Sequence, residues 1–121
     1  FRIGADEAAV MDPQHRLFLE CCWAAVENAG YDPTSCPGPV GIFAGCAFPT
    51  YLINNVILNP DLLRRHGRIG IALADDRDAL TSRVSQTLDL RGPSVTVATF
   101  SSTSLVAVHI ACQSLLSREC G

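Results

Sequence analysis

The sequence predicts a layered α/β domain, and three observations carry that expectation. A capped amphipathic helix opens at Asp12-Pro13. Two short segments, residues 40–45 and 94–98, read as strands, the first apolar on both faces as in a sheet covered by helices. Helical patterning separates and follows them, the alternation expected when helices pack on a parallel sheet. Hydrophobic residues make up 48% of the 121 residues and charged residues only 17%, a low share for a small domain with much surface to cover. No Asp, Glu, Lys or Arg occurs from Gly92 to Ser117, and a run of that length needs protein on most sides. Residues 1–121 are therefore expected to be one piece of a larger domain, cut at both ends.

Asp12 followed by Pro13 is a helix start, an acidic cap ahead of a proline whose missing N–H is not needed at the first helical position. The helix is predicted over residues 13–29, stopping at Gly30. Leu17, Phe18, Cys21, Cys22, Ala25 and Ala29 form a broad apolar stripe at helical spacing. Arg16, Glu20 and Glu27 fall opposite, with Arg16 and Glu20 one turn apart and placed to pair. Trp23 also lies on the polar side, so its cover is expected from protein outside this chain. Residues 35–39 form a proline-glycine loop, and the glycines of strand 40–45 imply close approach by another backbone. A short helix follows over 50–58. Asn59-Pro60 restarts helix through Arg65, with Gly67 and Gly70 breaking it. Asp75 or Asp76 caps the next helix, 77–88, whose inward face carries Leu80, Val84 and Leu88. Arg91-Gly92-Pro93 turns the chain into strand 94–98, and a helix over 102–117 follows.

Composition excludes several functions. A net charge of −3 and a pI near 5.4 argue against a nucleic-acid surface. The densest basic spot, Arg64-Arg65-His66-Gly67-Arg68, reads as a solvated helix end rather than a docking patch. The six cysteines form no C-x-x-C pair and no zinc spacing, so no metal site is expected. They read as free, buried, small apolar residues, which implies a reducing, cytoplasmic setting. No span of about 20 apolar residues is present, so no membrane segment is expected.

Thr99-Phe100-Ser101-Ser102-Thr103 forms a polar turn between an extended segment and a helix too apolar to sit on a surface. Such a turn presents one side chain, at the start of a buried helix, to whatever enters the space above it. Read from the residues alone, Ser101 there suggests a serine hydrolase. The G-x-S-x-G signature that eases this turn is missing, because Thr99 and Thr103 stand where glycines would. The plain alternative is that Ser101 or Ser102 caps the helix, and capping suits Ser102 or Thr103 whatever Ser101 does. His109, two turns on, reads as a hydrogen-bonded core residue.

A resemblance extends well beyond the turn. Met11-Asp12-Pro13-Gln14-His15-Arg16-Leu17-Phe18-Leu19-Glu20, Trp23 through Pro33, Val40-Gly41-Ile42-Phe43-Ala44-Gly45, Thr81-Ser82-Arg83-Val84-Ser85, Leu90-Arg91-Gly92-Pro93-Ser94-Val95 and Leu105 through Gln113 follow one another in family order. Together they resemble the ketosynthases, the condensing domains of modular polyketide synthases, most closely those of bacterial assembly lines. The resemblance identifies residues 1–121 as the N-terminal portion of such a domain. It implies a thiolase-like fold, layered αβαβα and only partly present, acting as a homodimer beside neighbouring polyketide synthase domains. It implies that an acyl carrier protein brings an acyl chain on its phosphopantetheine arm for decarboxylative condensation with a malonyl-type unit, with no cofactor or metal bound directly.

Within that resemblance Ser101 stands where the family carries its nucleophilic cysteine. A helix N-terminus lowers a thiol pKa far enough to supply thiolate, whereas an alcohol needs a dedicated base and yields an ester, a poorer acyl donor. Condensation is therefore expected to be impaired. The family's two catalytic histidines belong to the later half of the domain, and His15, His66 and His109 do not match them. Ala98 stands where Asp or Gln is usual, Phe100 where Ala is frequent, and Asp75-Asp76-Arg77-Asp78 where a Gly-Asn-Asp start is common. Two other readings stay open: a naturally non-elongating ketosynthase serving acyl transfer or a structural role, and a decayed gene product with no activity.

Overall fold

The computed structural model describes residues 1–121, and its centre is a pair of parallel strands, β1 (Ile42–Ala44) and β2 (Ser94–Thr96). Ile42 lies opposite Ser94 and Ala44 opposite Thr96. The ladder extends at both ends through Gly92 N–H to the Val40 carbonyl at 2.9 Å and Val97 N–H to the Ala44 carbonyl at 2.8 Å. Ile42 and Ala44, on one face of β1, are buried, but Phe43 on the other face is only half-buried and Ser94 and Val95 of β2 are exposed, so within this chain the sheet is covered on one face. The crossover between the strands runs through a π-helical turn (Leu52–Val56) and two helices, α3 (Pro60–Asp75) and α4 (Ala79–Thr87). Ahead of β1 come α1 (Ala5–Val10) and α2 (Pro13–Asn28), and after β2 comes α5 (Thr103–Leu116), which packs on β1.

Two apolar clusters hold these parts. Val10, Val56, Ile71 and Ala74 join α1, the π-helical turn and α3, while Leu19, Ile42, Val84 and Leu88 join α2, β1 and α4. Arg83 of α4 reaches the Glu7 carboxylate of α1 at 2.9 Å, and the Tyr51 hydroxyl donates to the Ala9 carbonyl at 2.7 Å.

The start of α2 is as expected: Pro13 is its first residue and the Asp12 carboxylate accepts from Gln14 N–H at 2.9 Å. Its buried face is rotated from the expected stripe. His15 and Leu19 are fully buried with Phe18, Cys22 and Trp23 beside them, whereas Leu17 is 60% exposed and Cys21 is exposed. Docking against Val84 and Leu88 of α4 selects this face, although Leu17 and Cys21 make the neighbouring one apolar too. Trp23 is covered from within the chain, by Phe1 in an edge-to-face contact at 5.5 Å, and its indole N–H donates to Glu27. Arg16 and Glu20 form no ion pair, and Arg16 Nε is buried without a partner.

α1 has no counterpart in the sequence expectations. It is a six-residue helix whose one buried residue, Val10, is anchored by tertiary contact rather than by its own length. α3 is longer than expected. Gly67 takes φ 71°, ψ 167° and kinks it, but Gly70 does not break it and the helix continues to Asp75. Burial of Ile71 and Ala74 holds that second half. Asp75 is thus the buried last residue of α3, not a cap. The turn into α4 is made by Asp76, whose carboxylate accepts from Asp78 N–H at 2.8 Å. Leu80, Val84 and Leu88 face inward as expected.

The basic cluster is a solvated helix segment, with Arg64 paired to Asp61 and Arg65 to Asp6. All six cysteines are free, but only Cys120 is buried, and Cys21 and Cys112 are exposed. His109 is exposed within this chain and makes no hydrogen bond in it, so no residue of 1–121 supplies the core surroundings expected of it. No helix is long and apolar enough to cross a membrane, and no cluster of His, Cys, Asp or Glu is arranged to hold a metal ion.

Candidate active site

The path from β2 to α5 builds a rigid elbow. Val97 is buried and tied to β1, after which Thr99 (φ −131°, ψ 35°) and Phe100 (φ 53°) reverse the chain. Phe100–Ser102 form a single 3₁₀ turn, and α5 begins at Thr103. A left-handed φ at a bulky aromatic costs about 1 kcal/mol or more, so something must hold it. Four contacts of the neighbouring hydroxyls do. Thr103 Oγ1 accepts from Thr99 N–H at 3.0 Å and donates to the Phe100 carbonyl at 2.7 Å. Ser102 Oγ lies 2.8 Å from the Thr99 carbonyl and 2.9 Å from Thr99 Oγ1. Ser102 and Thr103 therefore staple the elbow rather than cap α5, which has no side-chain cap bond.

Of the hydroxyls from Thr99 to Thr103, that of Ser101 is the one left over, and Ser104 in the first turn of α5 is likewise exposed and unbonded on the same cleft. Ser101 is exposed, makes no hydrogen bond within the chain, and sits at the N-terminal end of α5, where the helix dipole favours developing negative charge. It lines an open cleft of about 690 Å³ together with Cys46, Ala47, Phe48, Arg77 and Phe100.

Close approach fixes the cleft floor. A Cβ on Gly45 would stand 2.2 Å from Thr103 Cγ2 and 2.3 Å from the Val97 carbonyl oxygen, so only glycine lets the end of β1 meet the elbow. The far wall is set from α2. Gln14 Oε1 accepts from Ala47 N–H at 2.9 Å, and Gln14 Nε2 donates to the Ala47 carbonyl at 3.2 Å and to Asp12 at 3.1 Å. The Asp12-Pro13-Gln14 motif thus does more than start a helix. The cap is readable in the sequence but the role of Gln14 is not, because only the fold brings residue 47 beside residue 14.

The cleft walls contain no histidine and no carboxylate, so any base acting on the Ser101 hydroxyl comes from elsewhere in the protein. Arg77 is the one charged side chain on the walls, and it makes no ion pair. Burial pushes the Cys46 thiol up from its ordinary value; the Asp12 carboxylate adds to the shift and Arg77 opposes it. Cys46 is accordingly a protonated thiol at neutral pH. Behind this wall lie two buried polar side chains without hydrogen-bond partners, His15 and Asp75. Burial pushes His15 below its ordinary value against the pull of Asp12, with Arg83 adding to the downward shift and Asp76 opposing it. Burial also raises Asp75, to about 6, with Asp12 contributing.

Comparison with known proteins shows the family and the fold of the chain. The family model described as "Beta-ketoacyl synthase, N-terminal domain" matches residues 1–121. The chain is 49% identical over 124 residues to the pikromycin polyketide synthase component PikAII of Streptomyces venezuelae, covering 100% of this chain and 3% of that protein. It is 39% identical over 128 residues to the polyketide synthase PksM of Bacillus subtilis, covering 99% of this chain and 3% of that one. Among solved structures, the oxazolomycin ketosynthase domain OzmH KS7 of Streptomyces albus superposes with a TM-score of 0.78 at 31% identity, over 98% of this chain and 20% of that one. The ketosynthase from module 6 of the bacillaene synthase of Bacillus subtilis gives 0.76 at 31% identity, over 98% of this chain and 19% of that one. The fold is accordingly the thiolase-like one of these ketosynthase domains, of which this chain spans about a fifth.

Proposed function

Because the chain belongs to the beta-ketoacyl synthase family, matching its N-terminal domain from end to end, we propose that it supplies the acyl-accepting elbow of a polyketide synthase ketosynthase, with Ser101 at the acylated position. The observation that carries this reading is the elbow itself: the Ser101 hydroxyl, unbonded within the chain and just ahead of α5, on a turn held by four contacts of the neighbouring hydroxyls, opening on a cleft between β1 and α5. In the proposed reaction an acyl carrier protein presents its thioester on a phosphopantetheine arm. The acyl carbon–sulfur bond breaks, a bond to residue 101 forms, and the proton released there goes to the departing thiolate. The malonyl unit then loses its carboxylate as carbon dioxide, its carbon bonds to the acyl carbon as the bond to residue 101 breaks, and residue 101 takes up a proton, in a homodimeric domain flanked by other polyketide synthase domains.

The cleft fits such an arm. It is open and mostly neutral, and Arg77 is free to meet an anionic group of the carrier or its arm. The chain's own residues fix position 101, keep the α5 dipole behind it, and leave the hydroxyl without a base. The last point makes Ser101 a slow acyl acceptor, because a thiol near pH 7 is a few per cent ionised while the alcohol stays protonated.

The test is acylation of the full-length ketosynthase carrying this segment, followed by intact-protein mass spectrometry. Ser101→Cys is expected to form acyl-enzyme on the order of a hundredfold faster than the Ser101 protein. Equal rates would mean that the rest of the protein activates serine, and would replace the condensation-impaired reading with a serine-dependent acyl transferase.

A further inference from the structure

We propose that Thr103 is a positioning residue for acyl transfer: its hydroxyl bridges the two ends of the Thr99-Phe100 reversal and so fixes where the reacting atom at position 101 stands. The proposal rests on the acyl-accepting reading of Ser101. Thr103 Oγ1 accepts from Thr99 N–H at 3.0 Å, where the chain enters the reversal, and donates to the Phe100 carbonyl at 2.7 Å, where it leaves. That carbonyl shares one planar peptide unit with the Ser101 N–H, so the bond orients the plane from which residue 101 projects. The Ser101 side chain has no contact of its own to hold it, since its hydroxyl is exposed and unbonded within the chain. Its place is therefore set by the backbone, and the backbone there is set by Thr103.

Thr103 is itself keyed at two points. It is the first residue of α5, and a helical threonine has few χ1 choices, one of which places Oγ1 on the carbonyl three residues back. Its methyl meets β1: a Cβ on Gly45 would stand 2.2 Å from Thr103 Cγ2, so the methyl occupies the space that a side chain at residue 45 would take. Turning χ1 would carry the methyl off Gly45 and break both hydrogen bonds at once. One side chain thus refers the elbow to the end of β1 and to the start of α5. Ser102 does less, because both of its contacts end on Thr99, ahead of Phe100. Displacing a reacting atom by about 1 Å costs on the order of a hundredfold in rate.

The test uses the full-length ketosynthase with Ser101→Cys, so that acylation is fast enough to time. The probe is the N-acetylcysteamine thioester of butanoic acid, followed by intact-protein mass spectrometry over a range of concentrations. Thr103→Val keeps a methyl toward Gly45 and loses both hydrogen bonds. It is expected to lower the limiting acylation rate by roughly tenfold to a hundredfold, with the half-saturating concentration changed by less than about threefold. Thr103→Ser keeps the hydroxyl and should stay within about threefold of the parent rate. Iodoacetamide, a small reagent that needs no fixed pose, should alkylate the thiol at position 101 at nearly the same rate in all versions. Thr103→Ala, which also lacks the hydroxyl, gives the same comparison if valine disturbs folding. Unchanged acylation in the variants without the hydroxyl overturns the assignment, as does an equal fall in acylation and alkylation, which marks general loss of structure. A tenfold loss in Thr103→Ser overturns it whatever the other variants do. If the protein with Thr103 intact forms no acyl-enzyme, the acyl-accepting reading falls and this assignment falls with it.

Discussion

Gln14 and Ala47 hold each other by both ends: the Gln14 carboxamide accepts from Ala47 N–H and donates to the Ala47 carbonyl, 33 residues away in sequence. This pairing imitates a step of β-ladder with a side chain in place of a strand. It also links the capped start of α2 to the loop that walls the cleft opposite Ser101.

Gln14→Ala should cost about 1–2 kcal/mol, the range for losing a pair of partly exposed hydrogen bonds, and should speed amide exchange at Ala47. Gln14→Glu is expected to be no better. Its carboxylate still accepts from Ala47 N–H, but it cannot donate to the Ala47 carbonyl and it stands beside the Asp12 carboxylate. Hydrogen exchange resolved at residue 47 checks both. Unchanged protection in the two variants would show that the loop is held by other contacts.

Gly45→Ala should be far more damaging than its exposure suggests. The added Cβ meets both a movable methyl group, Thr103 Cγ2, and an immovable backbone oxygen, that of Val97. A cost above about 2 kcal/mol is expected for forced backbone movement at such a contact. Adding Thr103→Ser removes the methyl clash but leaves the Val97 clash, so it should not rescue. Chemical denaturation of the single and double variants decides, and full rescue by the double variant would place the strain on the side chain alone.

Asp75 should make stability fall with rising pH. Its folded value is raised to about 6 from an ordinary 3.8. A raised folded value gives a contribution that is fully present below about pH 4 and lost as pH rises through about 6. His15 works in the other sense: its folded value is lowered, so its contribution is present above pH 6.5 and declines as pH falls. Asp75→Asn removes the charge from a buried site without hydrogen-bond partners and is expected to add about 1–2 kcal/mol at pH 7.5 but little at pH 4.5. Thermal midpoints at the two pH values check this. An equal shift at both would mean that the Asp75 carboxyl ionises alike in the folded and unfolded chain.

The parts legible in the sequence were those decided by local chemistry. Asp12-Pro13 capping, the inward face Leu80-Val84-Leu88, the two strands and the elbow at Ser101 all depend on residues close in sequence. What escaped was set at long range. The face that α2 buries was chosen by α4, the continuation of α3 past Gly70 by the cluster around Ile71, and the cover of Trp23 by Phe1. In the site, the thiol of Cys46, the guanidinium of Arg77 and the clamp of Gln14 join Ser101 only through the parallel pairing of β1 and β2. No spacing in the sequence announces that meeting.

On α5, Leu105, Val108, Cys112, Leu115 and Leu116 recur at helical spacing and are all exposed, while Ala107 and Ser114 on the other side are buried. A helix apolar on both sides needs cover on both sides. The ketosynthase structures it resembles are about five times longer than this chain, which spans 20% of one and 19% of another. The outer face of α5 is therefore expected to be buried by the remainder of the domain in a full-length ketosynthase carrying this segment. Cys112 is a native reporter at the centre of that face. Timed alkylation with iodoacetamide, read by peptide mass spectrometry and normalised to the denatured protein, should show Cys112 protected at least about tenfold. Labelling of Cys112 at the denatured rate in the folded, full-length protein would mean that this face stays open to solvent.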